Sequence, residues 1–248
     1  MTAMRHIRSR WLLAGLAGAL LAAACSGPGD PVADMIRDLE RYPEYSLIVD
    51  DLRVESGFFP EYYMRFEVVT ASGKRLASGD TLVYDHRQTD WLQVPEQVFA
   101  RYENYLGMVV AARTLDGQRT GPGQAHPPGY QYVGNPRYGR WDSGGFWQFY
   151  GQYAFLRTML GGWDIGRADY GNYRRSQERG RPYYGPVKDG KATFGTRGTA
   201  TRAARPTFYQ RYKQRMAAGG RGFTSRTAAN RTRRSTSSWG RRTSRFGK

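Results

Sequence analysis

Cysteine occurs once in this 248-residue chain, at position 25, and histidine three times, with only His86 and His126 beyond the first few residues. A lone thiol rules out any intramolecular disulfide. Two histidines far apart, with no Cys/His/Asp/Glu grouping at ligand spacing, predict no metal site and no cofactor. Also missing is a run of the ~20 apolar residues that a membrane-spanning helix needs. The uncharged apolar stretch Trp11–Ala24 has only 14 residues. Acidic residues stop at Asp189: the last 59 positions carry 16 Lys/Arg and no Asp or Glu.

What is present at the start is a pattern. Arg5, Arg8 and Arg10 precede the apolar run, and small residues Ala22, Ala23 and Ala24 precede Cys25. A charged n-region, a short apolar h-region and a small-residue cleavage site define a secretory signal peptide. With cysteine at the cut, the segment resembles the lipobox of bacterial lipoproteins. That family places Leu three residues before the cysteine; here Ala22 stands there and Leu21 lies one position further back. The resemblance implies a signal peptide over 1–24, lipidation of Cys25 and a short tether over 25–30. Two or more acyl chains anchor a protein stably without spanning. The signal peptide implies export to the bacterial cell envelope, and by the same resemblance Ser26, a non-acidic residue after the cysteine, implies the outer membrane facing the periplasm.

The net charge of +17 is unevenly spread. Residues 26–160 hold 13 Lys/Arg against 17 Asp/Glu, while 161–248 hold 22 against 4. A mildly acidic body therefore carries a strongly basic end.

The body, 31–115, reads as a small α+β domain in the order αβββαβ, a small antiparallel sheet with two helices. Asp30 and Pro31 are an N-cap and first-turn pair, and Val32, Met35, Ile36 and Leu39 form one helical stripe. In "YSLIVDDLRVES" the inward set changes parity, from Leu47 and Val49 to Leu52 and Val54, which predicts a bulge near Asp50–Asp51. Met64, Phe66 and Val68 alternate as a second strand, and Thr81–Tyr84 is a third. Pro95 opens a helix with Val98, Phe99, Tyr102, Tyr105 and Leu106 on one face and Gly107 at its C′ position. "MVVAAR" is the fourth strand. Residues 116–140 form a Gly/Pro/Tyr connector whose rings, Tyr130, Tyr132 and Tyr138, suit packing across the domain.

The stretch "RWDSGGFWQFYGQYAFLRTML" poses two questions. Its "DSGG" resembles the nucleophile loop of trypsin-like proteases, but Trp141 stands where those enzymes have Gly, and His126 lacks the surroundings of their catalytic base. No catalytic residue is expected, and the chain does not read as an enzyme. Phe146, Phe149, Tyr150, Tyr153 and Leu156 fall near helical spacing, so an aromatic-rich helix is predicted within 141–162. Phe146, Trp147, Phe149, Tyr150 and Tyr153 would either pack on the body or lie at a membrane interface.

The remainder, 163–248, reads as a basic low-complexity tail, largely disordered. "GPVKDGKA" imitates a phosphate-binding loop, but Ala192 replaces the required Ser/Thr and no apolar strand precedes it. "RPTFYQRYKQRMAAGG" suits a short basic amphipathic helix. Contact with anionic surfaces is expected through Arg211, Lys213, Arg215, Arg231, Arg233, Arg234, Arg241 and Arg242.

The central segment "PPGYQYVGNPRYGRWDSGGFWQFYGQYAFL", the lipobox and the Arg/Ser/Gly-rich terminus together resemble a group of bacterial envelope lipoproteins of undetermined activity. The expectation is a structural or interaction protein fastened to the membrane by its lipid. Its basic tail would meet anionic lipid headgroups, lipopolysaccharide or cell-wall polymer, and its body an envelope protein partner; no cytoplasmic nucleic acid is expected. The alternative is a periplasmic small-ligand or protein-binding module with the tail as a spacer, in which fragment 31–160 would bind alone.

Overall fold

The computed structural model describes residues 29–217, apart from 56, 77–78 and 160–161. Cys25, the segment before it, and Arg231, Arg233, Arg234, Arg241 and Arg242 lie outside the described residues. The chain divides into two units, Met1–Asp30 and Pro31–Lys248, and the architecture below belongs to the second.

The protein is α+β. Helix α1 (Pro31–Leu39) starts at the proline that fixes its first φ. Strands β1 (Glu44–Glu55), β2 (Glu61–Leu76) and β3 (Gly79–Gln88) form an antiparallel meander, and β4 (Leu92–Val94) pairs with β2. Helix α2 (Glu96–Tyr102) leads to β5 (Val109–Arg113) and β6 (Arg119–Thr120). The sheet order is β3-β2-β1-β5-β6, with β4 off this path. Helix α2 ends one turn short of the expected Gly107, which sits at φ +72° in the following turn and donates its N–H to the Val49 carbonyl at 2.7 Å.

Strand β1 slips register against β2 between Val49 and Asp51. The slip is the bulge that the parity change required. It keeps Leu47, Val49 and Leu52 on one face, where they meet Met64, Phe66 and Val68 and the apolar sides of α1 and α2. Ile48, Val69, Val109 and Ala112 occupy the other face beneath Tyr84 and Phe155. Both faces are covered, so the sheet is the middle of three layers.

The second face is covered by the segment expected to be an aromatic helix. Residues 139–149 instead form a hairpin of β7 (Gly139–Trp141) and β8 (Trp147–Phe149), and only α3 (Ala154–Met159) is α-helical. "DSGG" is its turn: Asp142 accepts the Phe146 N–H on Oδ1 at 2.8 Å and the Gly145 N–H on its carbonyl at 3.1 Å. A Cβ at Gly139 would lie 2.2 Å from the Gln148 carbonyl oxygen, so only glycine lets the two strands meet there. The cross-strand pair Trp141/Trp147, with ring centroids 5.2 Å apart, overrides the helical spacing. Of the five named aromatics, Trp147 and Tyr153 are buried, Phe149 is half-buried, and Phe146 and Tyr150 are exposed. Trp147 and Tyr153 thus pack within the body.

Residues 163–205 also fold, contrary to the expectation of a largely disordered tail, and the helix expected from Pro206 is present. Residues 163–217 form α4 (Arg167–Glu178), a hairpin of β9 (Val187–Lys188) and β10 (Lys191–Ala192), α5 (Thr199–Ala204) and α6 (Pro206–Ala217). The hairpin turn is Asp189–Gly190, both at positive φ, a type I′ signature in place of a phosphate loop. Phe194, Phe208 and Tyr209 are buried in the cluster formed by the first sheet face. Each buried ring contributes about 1.5–3 kcal/mol against a backbone ordering cost of about 1–2 kcal/mol per residue. The tyrosines here bury their rings and bond their hydroxyls.

Candidate functional site

A cleft of about 450 Å³ opens between α5 and the second sheet face. Ile48 and Glu67, paired across β1 and β2, form its floor. Trp163 and Phe194 supply aromatic walls, and Thr201 on α5 and Arg205 just after its end also line it. The approach of α5 depends on Gly107: a Cβ there would stand 3.3 Å from the Thr201 methyl group. The loop before α5 is pinned by Thr196, whose hydroxyl donates to the Glu103 carbonyl at 2.5 Å and accepts the Leu106 N–H at 3.2 Å. Tyr209 on α6 donates its hydroxyl to the Thr196 carbonyl at 2.5 Å.

Two polar features mark the cleft. Thr201 is 4% exposed, and its Oγ1 has no hydrogen-bond partner. A buried hydroxyl left unpaired is costly, and such groups are few in folded proteins. The second is the charged edge made by Glu67 and Arg205, whose Nη2 donates to Glu67 Oε1 at 3.1 Å.

That edge belongs to a larger cluster built by the bulge. The extra residue turns both Asp50 and Asp51 toward Arg65, whose Nε donates to Asp50 at 2.7 Å and whose Nη2 lies 3.5 Å from Asp51. Arg205 also pairs with Asp50, and Arg211 with Asp51. Gln88 donates to Asp50 at 2.6 Å. Three carboxylates thus face three guanidiniums. The aspartate side chains are 4% and 8% exposed, so these pairs are largely shielded from solvent. The cluster binds the C-terminal helices to the sheet across more than 130 residues of sequence. Arg211, expected to face an anionic surface, instead spends its charge on Asp51; Lys213 is exposed and Arg215 half-buried.

Two further carboxylates sit among tyrosines. Glu44, 1% exposed, accepts from Tyr138 at 2.7 Å and Tyr84 at 3.0 Å. Burial pushes its pKa up, against the pull of the tyrosine hydrogen bonds. Asp169 on α4 accepts from Tyr130 and Tyr183, and burial again raises it. These tyrosine hydroxyls have their own pKa values raised, by burial first and then by the carboxylates. None of them is a nucleophile near neutral pH.

Among the described residues no group of three His, Cys, Asp or Glu could hold a metal ion, and no helix is long and apolar enough to cross a membrane. No protein family matches the chain, and neither the curated proteins nor the solved structures contain a significant match.

Sequence reasoning gave none of the cleft residues a binding role. Trp163, Phe194, Thr201 and Arg205 lie in the stretch read as disordered, and Glu67 falls between the alternating Phe66 and Val68, on the opposite side of the strand. The aromatic content of residues 163–212 and the Asp189–Gly190 turn were the available signals of folding.

Proposed function

We propose that this protein is a lipid-anchored bacterial envelope protein whose body is a binding module for a small amphipathic ligand. The cleft beside α5 carries the reading. Its volume lies within the ~300–1,000 Å³ range of small-molecule sites, and it joins aromatic walls to a few placed polar groups. The bare Thr201 hydroxyl awaits one hydrogen bond, and the charges at the Glu67–Arg205 edge balance. A mostly apolar ligand with one polar end fits that arrangement.

In this reading Cys25 carries the lipid, and the basic residues beyond 217 hold anionic headgroups, lipopolysaccharide or wall polymer near the body. The binding unit extends to residue 217, because fragment 31–160 lacks Trp163, Phe194, Thr201 and Arg205. Deletion of residues 218–248 is therefore the cut that separates attachment from binding.

The test uses the mature chain and an apolar fluorophore, N-phenylnaphthylamine. Saturable binding is expected, weakened by Ala203→Trp, which fills the exposed mouth of the cleft, and retained after deletion of 218–248. Equal binding by wild type and Ala203→Trp refutes the cleft as the site. Radiolabelled palmitate tests the anchor: incorporation that persists in Cys25→Ala excludes lipidation there.

A further inference from the structure

We propose a second binding site, for a neutral sugar ring, in the crevice between α4 and the β5–β6 edge of the sheet. This site is separate from the cleft at α5 and does not rest on that reading.

The crevice measures about 280 Å³, just under the ~300–1,000 Å³ of sites for drug-sized ligands, so it suits a single ring. Its edge is held by a reciprocal clasp. Gln124 donates its side-chain amide to the Gln177 carbonyl at 3.0 Å, and Gln177 returns the bond to the Gln124 carbonyl at 3.1 Å. Both bonds fix α4 against the turn at Pro122–Gln124.

The interior presents oxygen acceptors whose donors are already committed. Gln131 is 7% exposed; its Nε2 donates to Ser46 Oγ at 2.8 Å, while its Oε1 is buried with no partner. That bare oxygen belongs to a side chain lining the crevice. Thr120 is oriented by His126. The His126 Nδ1 lies 2.9 Å from the Pro127 carbonyl, which can only accept, so Nδ1 carries the proton. Burial keeps the ring neutral, so Nε2 is an acceptor and takes the Thr120 hydroxyl proton at 3.1 Å. The lone pairs of Thr120 then remain. Thr114 likewise gives its proton to Asp116 at 2.5 Å. Three side chains lining the crevice therefore offer oxygen acceptors.

Such a set calls for a ligand rich in O–H or N–H donors. A cation is disfavoured, because Arg174 and Glu178 stand together at the exposed rim and no carboxylate lies inside to match a buried charge. The half-buried Tyr170 supplies a ring wall on which the C–H face of a sugar can rest. A neutral pyranose meets all of these conditions. Gln131 also connects through Ser46 and Tyr132 to the Glu44 cluster, so the acceptor is held by a network reaching across the sheet.

The experiment follows side-chain amide resonances of the ¹⁵N-labelled full mature chain during titration into the millimolar range. The probes are N-acetylglucosamine, rhamnose, glucose and glycine betaine. A saturable shift of Gln131 with a sugar is expected, and no shift with betaine, which has no donor. Preference for N-acetylglucosamine points to wall glycan, and preference for rhamnose or glucose to surface polysaccharide. Gln131→Met should weaken binding at least about tenfold. Arg174→Trp, at an exposed position on the rim, should abolish it, with an unchanged urea midpoint confirming an intact fold. Absence of saturable sugar binding overturns the proposal. So does betaine binding as strong as any sugar, or sugar binding unchanged in Arg174→Trp.

Discussion

His126 makes the stability of this fold depend on pH with a predictable sign. It is 0% exposed, bridged through its backbone to Val109 on β5, with its ring edge-on to Tyr173. Burial pushes its pKa down from 6.5 to about 4. Above pH 6.5 the ring is neutral in both the folded and unfolded chain, so nothing is lost. As pH falls from 6.5 to about 4, the unfolded chain takes up a proton that the folded chain refuses, and stability declines. The loss reaches about 2 kcal/mol at pH 5 and levels off near 3 kcal/mol below pH 4. Glu44 and Asp169 act in the opposite sense, since burial raises their pKa values and acid relieves their penalty. Comparison with His126→Gln cancels them. That variant keeps an acceptor for Thr120 and does not titrate. Urea unfolding of both proteins near neutral pH and at about pH 5 should show the wild type losing about 2 kcal/mol more than the variant. Equal losses would show that the imidazole is not buried as described.

Four further expectations concern separate parts of the fold. Arg205→Met removes a guanidinium from Asp50 and Glu67 and leaves shielded carboxylates underpaired; urea denaturation should show a loss of about 3–5 kcal/mol. Gly139→Ala forces a Cβ into the Gln148 carbonyl and should cost more than about 3 kcal/mol, with the Trp141/Trp147 exciton signal lost from the near-UV circular dichroism. Tyr138→Phe takes a donor from Glu44 and should cost about 1–3 kcal/mol by the same denaturation assay. Phe58→Ser with Phe59→Ser, at positions 94% and 81% exposed, should change stability by no more than about 0.5 kcal/mol. A larger loss would mean that the β1–β2 turn packs where it is seen to be open.

The first half of the sheet was legible because its signals are local. Pro31 and Pro95 mark helix starts, alternation of Met64, Phe66 and Val68 marks a strand, and the parity change across Asp50–Asp51 marks a bulge. Each depends on steric rules that act within a few residues. The aromatic segment misled because Phe149 belongs both to a helical set, with Phe146, Tyr150 and Tyr153, and to a strand alternation with Trp147. The choice was made by Gly139 and by the "DSGG" turn, which together let two short strands close.

By itself the sequence determined the mixed α+β character, the position of the bulge and the division of charge between body and terminus. Only the tertiary structure decided that residues 163–205 fold, that Arg205 and Arg211 answer Asp50 and Asp51, and that Thr201 and Gln131 each keep a bare oxygen. Those facts rest on pairs separated by tens to more than a hundred residues. Their partners are chosen by packing on the two sheet faces, and no local pattern encodes which arginine reaches which carboxylate.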